Sequence, residues 1–121
     1  MRYFISIIPP ANVQPKDVPD SLGEAMGPWI ERSVASGALI STGGLMPSGT
    51  GKRLNGATGK VAQTDGPFAE AKEVVGGYAV VEATDQAAAT AFAADFLQMH
   101  IDNGMPDITL EVRAIAGGYN Y

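Results

Sequence analysis

The sequence predicts an α+β fold of the split βαββαβ type, and three observations carry that expectation. Four segments have the β-branched and aromatic content of strands, two have helical periodicity, and their order is strand, helix, strand, strand, helix, strand. A glycine-rich, turn-like stretch between the second and third main strands adds a small hairpin. At 121 residues the chain has the size of one domain, 1–121, and can bury a core without disulfides.

Residues 2–8, RYFISII, form the first expected strand. Alternation in it is weak, so part of both faces should be covered. Pro9 and Pro10 end it, and residues 9–19, with four prolines, read as loop. Residues 20–37 read as the first helix. Ser21 and Glu24 have capping-box spacing, and Leu22, Met26, Ile30 and Val34 recur at four-residue steps on one face. Gly27-Pro28 interrupts this pattern, as a kink or as a later helix start. Gly37 supplies the stop.

Residues 38–46, ALISTGGLM, make the second strand, with Gly43-Gly44 marking a bulge or a close approach of backbone or ligand. PSGTG at 47–51 is a turn. Runs 52–55 and 60–64, joined by 56–59, form the hairpin. Residues 77–83 form the third main strand. The second helix spans 85 to about 103: Thr84 or Asp85 caps it, alanines fill its first turns, and Gly104 and Pro106 end it. Ala88, Phe92, Phe96 and Met99 are expected on its buried face. Residues 107–116 close the sheet, Ile108, Leu110 and Val112 sharing one covered face.

The split unit places both helices on one face of a four-stranded antiparallel sheet. Nothing else in the chain is long enough to cover the other face, which makes a homodimer, sheet against sheet, the economical solution.

Composition narrows function. Eight Lys and Arg stand against thirteen Asp and Glu, a net charge of −5, and the cations are dispersed. Direct nucleic-acid binding is therefore not expected. With no cysteine, thiolate catalysis, iron–sulfur clusters and cysteine-ligated zinc are excluded. No apolar run reaches the ~20 residues of a membrane span, and the N-terminus lacks the pattern of a signal peptide. A cytoplasmic protein that binds small molecules or protein surfaces is the expectation, with no cofactor and no metal.

The stretch 64–78, TDGPFAEAKEVVGGY, concentrates the ionisable groups and special backbone positions. It closely resembles the signature of DGPF-type, YCII-related (YciI-like) domain proteins. GALISTGGL at 37–45 and LEVRAI at 110–115 are similar to two further segments of that family. The resemblance implies a small bacterial protein with a dimeric ferredoxin-like, α/β-barrel fold. Some relatives are encoded beside or fused to extracytoplasmic-function sigma factors, which implies a link to transcription regulation. The broader superfamily includes enzymes on small aromatic or chlorinated compounds that are thought to use a His–Asp pair, the His on the first helix. Here residues 20–37 contain no histidine, so that pair does not carry over.

Each candidate has a plain and a functional reading. Asp65 is either a turn residue or a carboxylate serving as general base or ligand anchor. Glu70, Lys72 and Glu73 are a solvated turn or a polar rim that selects a ligand. Gly76-Gly77 and Tyr78 are close packing or a ligand approach with a hydroxyl at the wall, and their spacing is no phosphate-binding fingerprint. His100, the lone histidine, suits a helix C-terminus. Glu111 and Arg113 share a strand face, where Arg113 is sheet support or an anion anchor. Trp29 and Phe68 read as core or pocket lining. Two functions follow. One is a dimeric binding module whose pocket uses Phe68, Glu70, Lys72, Tyr78 and Arg113. The alternative is a lyase- or isomerase-type enzyme with Asp65 as base.

Overall fold

The structure, a computed structural model, describes residues 1–10, 17–66, 75–105 and 107–117. The elements run β1 (Arg2–Ile8), α1 (Asp20–Ala35), β2 (Leu39–Gly44), β3 (Lys52–Ala57), β4 (Lys60–Asp65), β5 (Gly77–Glu82), α2 (Gln86–Asp102) and β6 (Thr109–Ala114). Four strands form an antiparallel sheet in the order β2-β5-β1-β6, and β3-β4 is a separate two-stranded sheet. With the hairpin set aside, this is the ferredoxin-like strand order expected from the sequence.

Strand alternation divides the large sheet into two faces. Tyr3 and Ile5 of β1, Leu39 of β2 and Ala79 and Val81 of β5 are buried against Ala89 and Ala93 of α2. Trp29 and Ile30 of α1, Phe92 of α2 and Leu110 and Val112 of β6 pack around them. Alanines on α2 let that helix lie close to the sheet, while larger rings fill the space between the helices. Trp29 meets Phe92 at 5.1 Å and Phe96 at 4.6 Å between ring centroids.

Four local expectations change. Ser21 is not an N-cap: α1 starts at Asp20, Pro19 occupies the cap, and Ser21 Oγ donates to Asn103 O at the end of α2. The hydroxyl therefore ties two helix ends together. The helix also includes Pro28 within its span, so it does not start there. Its buried residues are Leu22 and Ser33, with Met26, Trp29 and Ile30 half-buried, while Val34 is exposed. Each four-residue step advances about 40° around a helix, so a strict four-step series drifts off the core by Val34. On α2 the buried set is Ala89, Ala93, Phe96 and His100, and Ala88 faces outward.

Both helix stops behave as expected. Gly37 and Gly104 have positive φ, at 82° and 86°. At α2, Gly104 N donates to Ile101 O and Met105 N to His100 O, the paired bonds of a Schellman motif. Asp85 caps α2, accepting from Ala88 N at 2.8 Å. The β3-β4 turn is tight: Thr58 and Gly59 both have positive φ, the signature of a two-residue type I′ turn.

Candidate functional site

The open face of the large sheet is built by two rows that the strand register sets side by side. One row runs Ser41, Val80, Phe4, Arg113 across β2, β5, β1 and β6. The next runs Gly43, Tyr78, Ser6, Glu111. Directly paired residues on one face are near enough for their side chains to interact.

The rows hold an aromatic centre between polar ends. The Phe4 and Tyr78 rings are parallel within 5°, with centroids 6.0 Å apart. Phe4 is 37% exposed although it is flanked on both sides by strands. Tyr78 is half-buried, and its hydroxyl lies 3.4 Å from Ser41 Oγ. Its carbonyl accepts from Thr42 Oγ1 at 2.9 Å, which fixes β2 against β5 at this level. Arg113 is exposed and makes no ion pair among the described residues. A guanidinium beside an aromatic platform can hold a carboxylate in bidentate fashion while the rings take an apolar body.

Asp65 stands elsewhere, at the end of β4 in the two-stranded sheet. Its carboxylate accepts from Lys52 Nζ at 2.9 Å, and both side chains are exposed. The next residue, Gly66, donates its N–H to Gly51 O. Phe68, Glu70, Lys72 and Glu73 lie outside the described residues. Of the sequence candidates, Tyr78 and Arg113 therefore share one face, while Asp65 belongs to the hairpin.

The glycine pair before Tyr78 is explained by packing within the sheet. Gly76 N donates to Ile7 O at 2.7 Å, and a Cβ on Gly76 would lie 2.8 Å from Pro9 Cγ and Cδ. A Cβ on Gly77 would lie 3.1 Å from Gly43 O. His100 is likewise internal: it is 6% exposed, its Nδ1 donates to Phe96 O at 2.8 Å, and its ring packs on Phe96 at 4.6 Å. No cluster of three potential metal ligands exists among the described residues. No helix among them is long and apolar enough to cross a membrane.

Phe4 and Ser41 are the site residues that sequence reasoning missed. The weak alternation of β1 hid which of its side chains faces outward. The pairing of Phe4 with Arg113 depends on a register between strands more than a hundred residues apart in sequence.

The chain folds as a two-layer α+β domain whose open sheet face sets Arg113, without an ion pair among the described residues, beside the Phe4–Tyr78 ring pair. The chain belongs to the YCII-related domain family, whose model matches residues 1–97. No curated protein matches the chain. The family match ends before β6, so the placement of Arg113 and Glu111 rests on geometry alone.

Proposed function

We propose that this YCII-related protein is a homodimeric binding module whose open sheet face takes a small organic anion with an apolar or aromatic body. The observation that carries the reading is Arg113 directly opposite Phe4, whose ring is parallel to Tyr78. Arg113 would anchor the carboxylate, Phe4 and Tyr78 would bear the apolar part, and the Ser41 and Tyr78 hydroxyls would orient it. Two such faces brought together would exclude water and strengthen the charge-assisted bond. Phe68, Glu70 and Lys72 complete the ligand-selecting set on the strength of the sequence. A peptide segment ending in a carboxylate, from a partner in transcription regulation as in the sigma-linked relatives, presents the same chemistry.

The alternative is a lyase- or isomerase-type enzyme with Asp65 as general base. A carboxylate sequestered in a concavity would favour it. Asp65 is instead exposed and ion-paired, so the binding reading has the stronger support.

Calorimetric titration with a panel of aromatic and aliphatic carboxylates, with the matching amides as controls, tests the proposal. Carboxylates should bind and amides should not. Arg113→Gln should abolish binding, and Arg113→Lys should retain part of it. Equal binding of acids and amides, or full affinity in Arg113→Gln, would overturn the assignment.

A further inference from the structure

We infer that the β3-β4 hairpin is a dimerisation arm, and that its face bearing Leu54 and Val61 packs on the body of a second copy of this chain. The inference rests on the homodimer reading and extends it to a surface outside the large sheet. Every residue of both arm strands is exposed. A two-stranded hairpin is marginal in water without a further layer to cover it. The register divides the arm into two faces and gathers its two large aliphatic side chains on one of them. Lys52 with Asp65, Leu54 with Gln63 and Gly56 with Val61 share one face; Arg53 with Thr64, Asn55 with Ala62 and Ala57 with Lys60 share the other. Leu54 and Val61 are thus diagonal neighbours on the same face, at 63% and 75% exposure. Among the described residues of their own chain, nothing covers them.

Charge and area point to a second copy as the cover. The arm holds three cations, Lys52, Arg53 and Lys60, and one carboxylate, Asp65, within a chain of net charge −5. The helices carry exposed carboxylates at Asp20, Glu24, Glu31, Asp95 and Asp102. Two basic arms repel each other, and each is attracted to the acidic body of the other copy, which selects arm-on-body over arm-on-arm contact. The large sheet alone is also small for an interface. Four strands of six or seven residues at ~4.8 Å spacing and ~3.3 Å rise present a footprint of roughly 400 Å², against ~800 Å² per partner in a standard interface. An arm reaching across to the other copy extends the contact beyond the sheet.

Leu54→Asp combined with Val61→Asp should raise the dimer dissociation constant in sedimentation equilibrium roughly 100-fold or more, since four aliphatic side chains leave each interface. The circular dichroism spectrum should be unchanged. Hydrogen exchange on the unaltered chain provides a second readout that does not depend on the variant folding. Amides of 52–57 and 60–65 should be protected in the dimer and lose protection on dilution to monomer. A wild-type dimer whose dissociation constant is unchanged in the double variant would overturn the arm while leaving the dimer in place. Protection of the arm that persists in the monomer would assign the cover to the same chain, and absence of protection in the dimer would assign the face to a foreign partner. Either result overturns the inference. A wild-type chain that is monomeric at all concentrations would overturn both the arm and the dimer reading.

Discussion

Gly43 leaves open the space that the ring of Tyr78 fills. A Cβ on Gly43 would lie 3.0 Å from Tyr78 Cε1 and 3.3 Å from its hydroxyl oxygen. The two residues are directly paired across β2 and β5, so one site holds either a side chain on β2 or the tyrosine ring in its present position. Gly43→Ala should displace the ring, weaken its alignment with Phe4 and cost about 1 kcal/mol. The melting temperature should fall by roughly 3–6 °C, and affinity for carboxylates in calorimetry should fall with it. Full affinity in a folded Gly43→Ala protein would remove the Tyr78 ring from the ligand platform.

Gly76 has a less forgiving neighbour. The Pro9 ring, 2.8 Å from where a Cβ would sit, cannot rotate away as a long side chain can. Gly76→Ala should therefore destabilise by about 1–3 kcal/mol in urea unfolding. Gly44→Ala, where a Cβ meets nothing within 4 Å, should be neutral or slightly stabilising. Equal midpoints for the two variants would contradict the packing account of the Gly76-Gly77 pair.

The contrast shows what the sequence could and could not reveal. Strand and helix order were legible because Pro9, Gly37, Gly104 and the β-branched runs act locally. The α+β class followed from that order. Which side of α2 is buried was not legible, because Ala88 and Ala89 are chemically alike and only packing on Ala79 and Val81 distinguishes them. Ser21 and Glu24 satisfied the spacing of a capping box, but the contact of Ser21 with Asn103 is tertiary. Tyr78 and Arg113 were identified singly as candidates. Their common face required the order β5-β1-β6, and Phe4 between them carries no local signal of function.

Asp85 offers a local test of that reasoning, since its cap was expected from sequence and is present. Asp85→Ala removes the acceptor for Ala88 N and should cost about 1 kcal/mol, whereas Asp85→Asn should cost much less. Ser21→Ala should cost less than Asp85→Ala, because the Ser21 bond to Asn103 is exposed and 3.3 Å long. Chemical denaturation of the three variants gives the ranking directly.

His100 and Trp29 both pack on Phe96, so their contributions should not be independent. His100→Ala deletes a buried ring and should cost about 2–4 kcal/mol at unchanged carboxylate affinity. The double variant with Trp29→Ala should cost less than the two singles together by ~0.5 kcal/mol or more, because the first truncation already loosens Phe96. A double-mutant cycle on unfolding free energies measures this coupling. Strict additivity would mean that Phe96 does not link the two rings.

Asp65 separates the two readings of function because stability and activity should respond to it differently. An exposed ion pair such as Lys52–Asp65 contributes about 0–1 kcal/mol. Asp65→Asn and Lys52→Met should therefore each leave unfolding within about 1 kcal/mol of the parent. On the binding reading, carboxylate affinity also stays unchanged in Asp65→Asn, since the anchor is Arg113 on the other sheet. On the enzymatic reading, any turnover found for a carboxylate ligand should fall by a factor of ~100 or more in Asp65→Asn while affinity persists. Measuring affinity, turnover and unfolding on the same variant assigns Asp65 to one role: loss of turnover alone makes it the base, and no change in any of the three leaves it as one half of a surface ion pair at the foot of the arm.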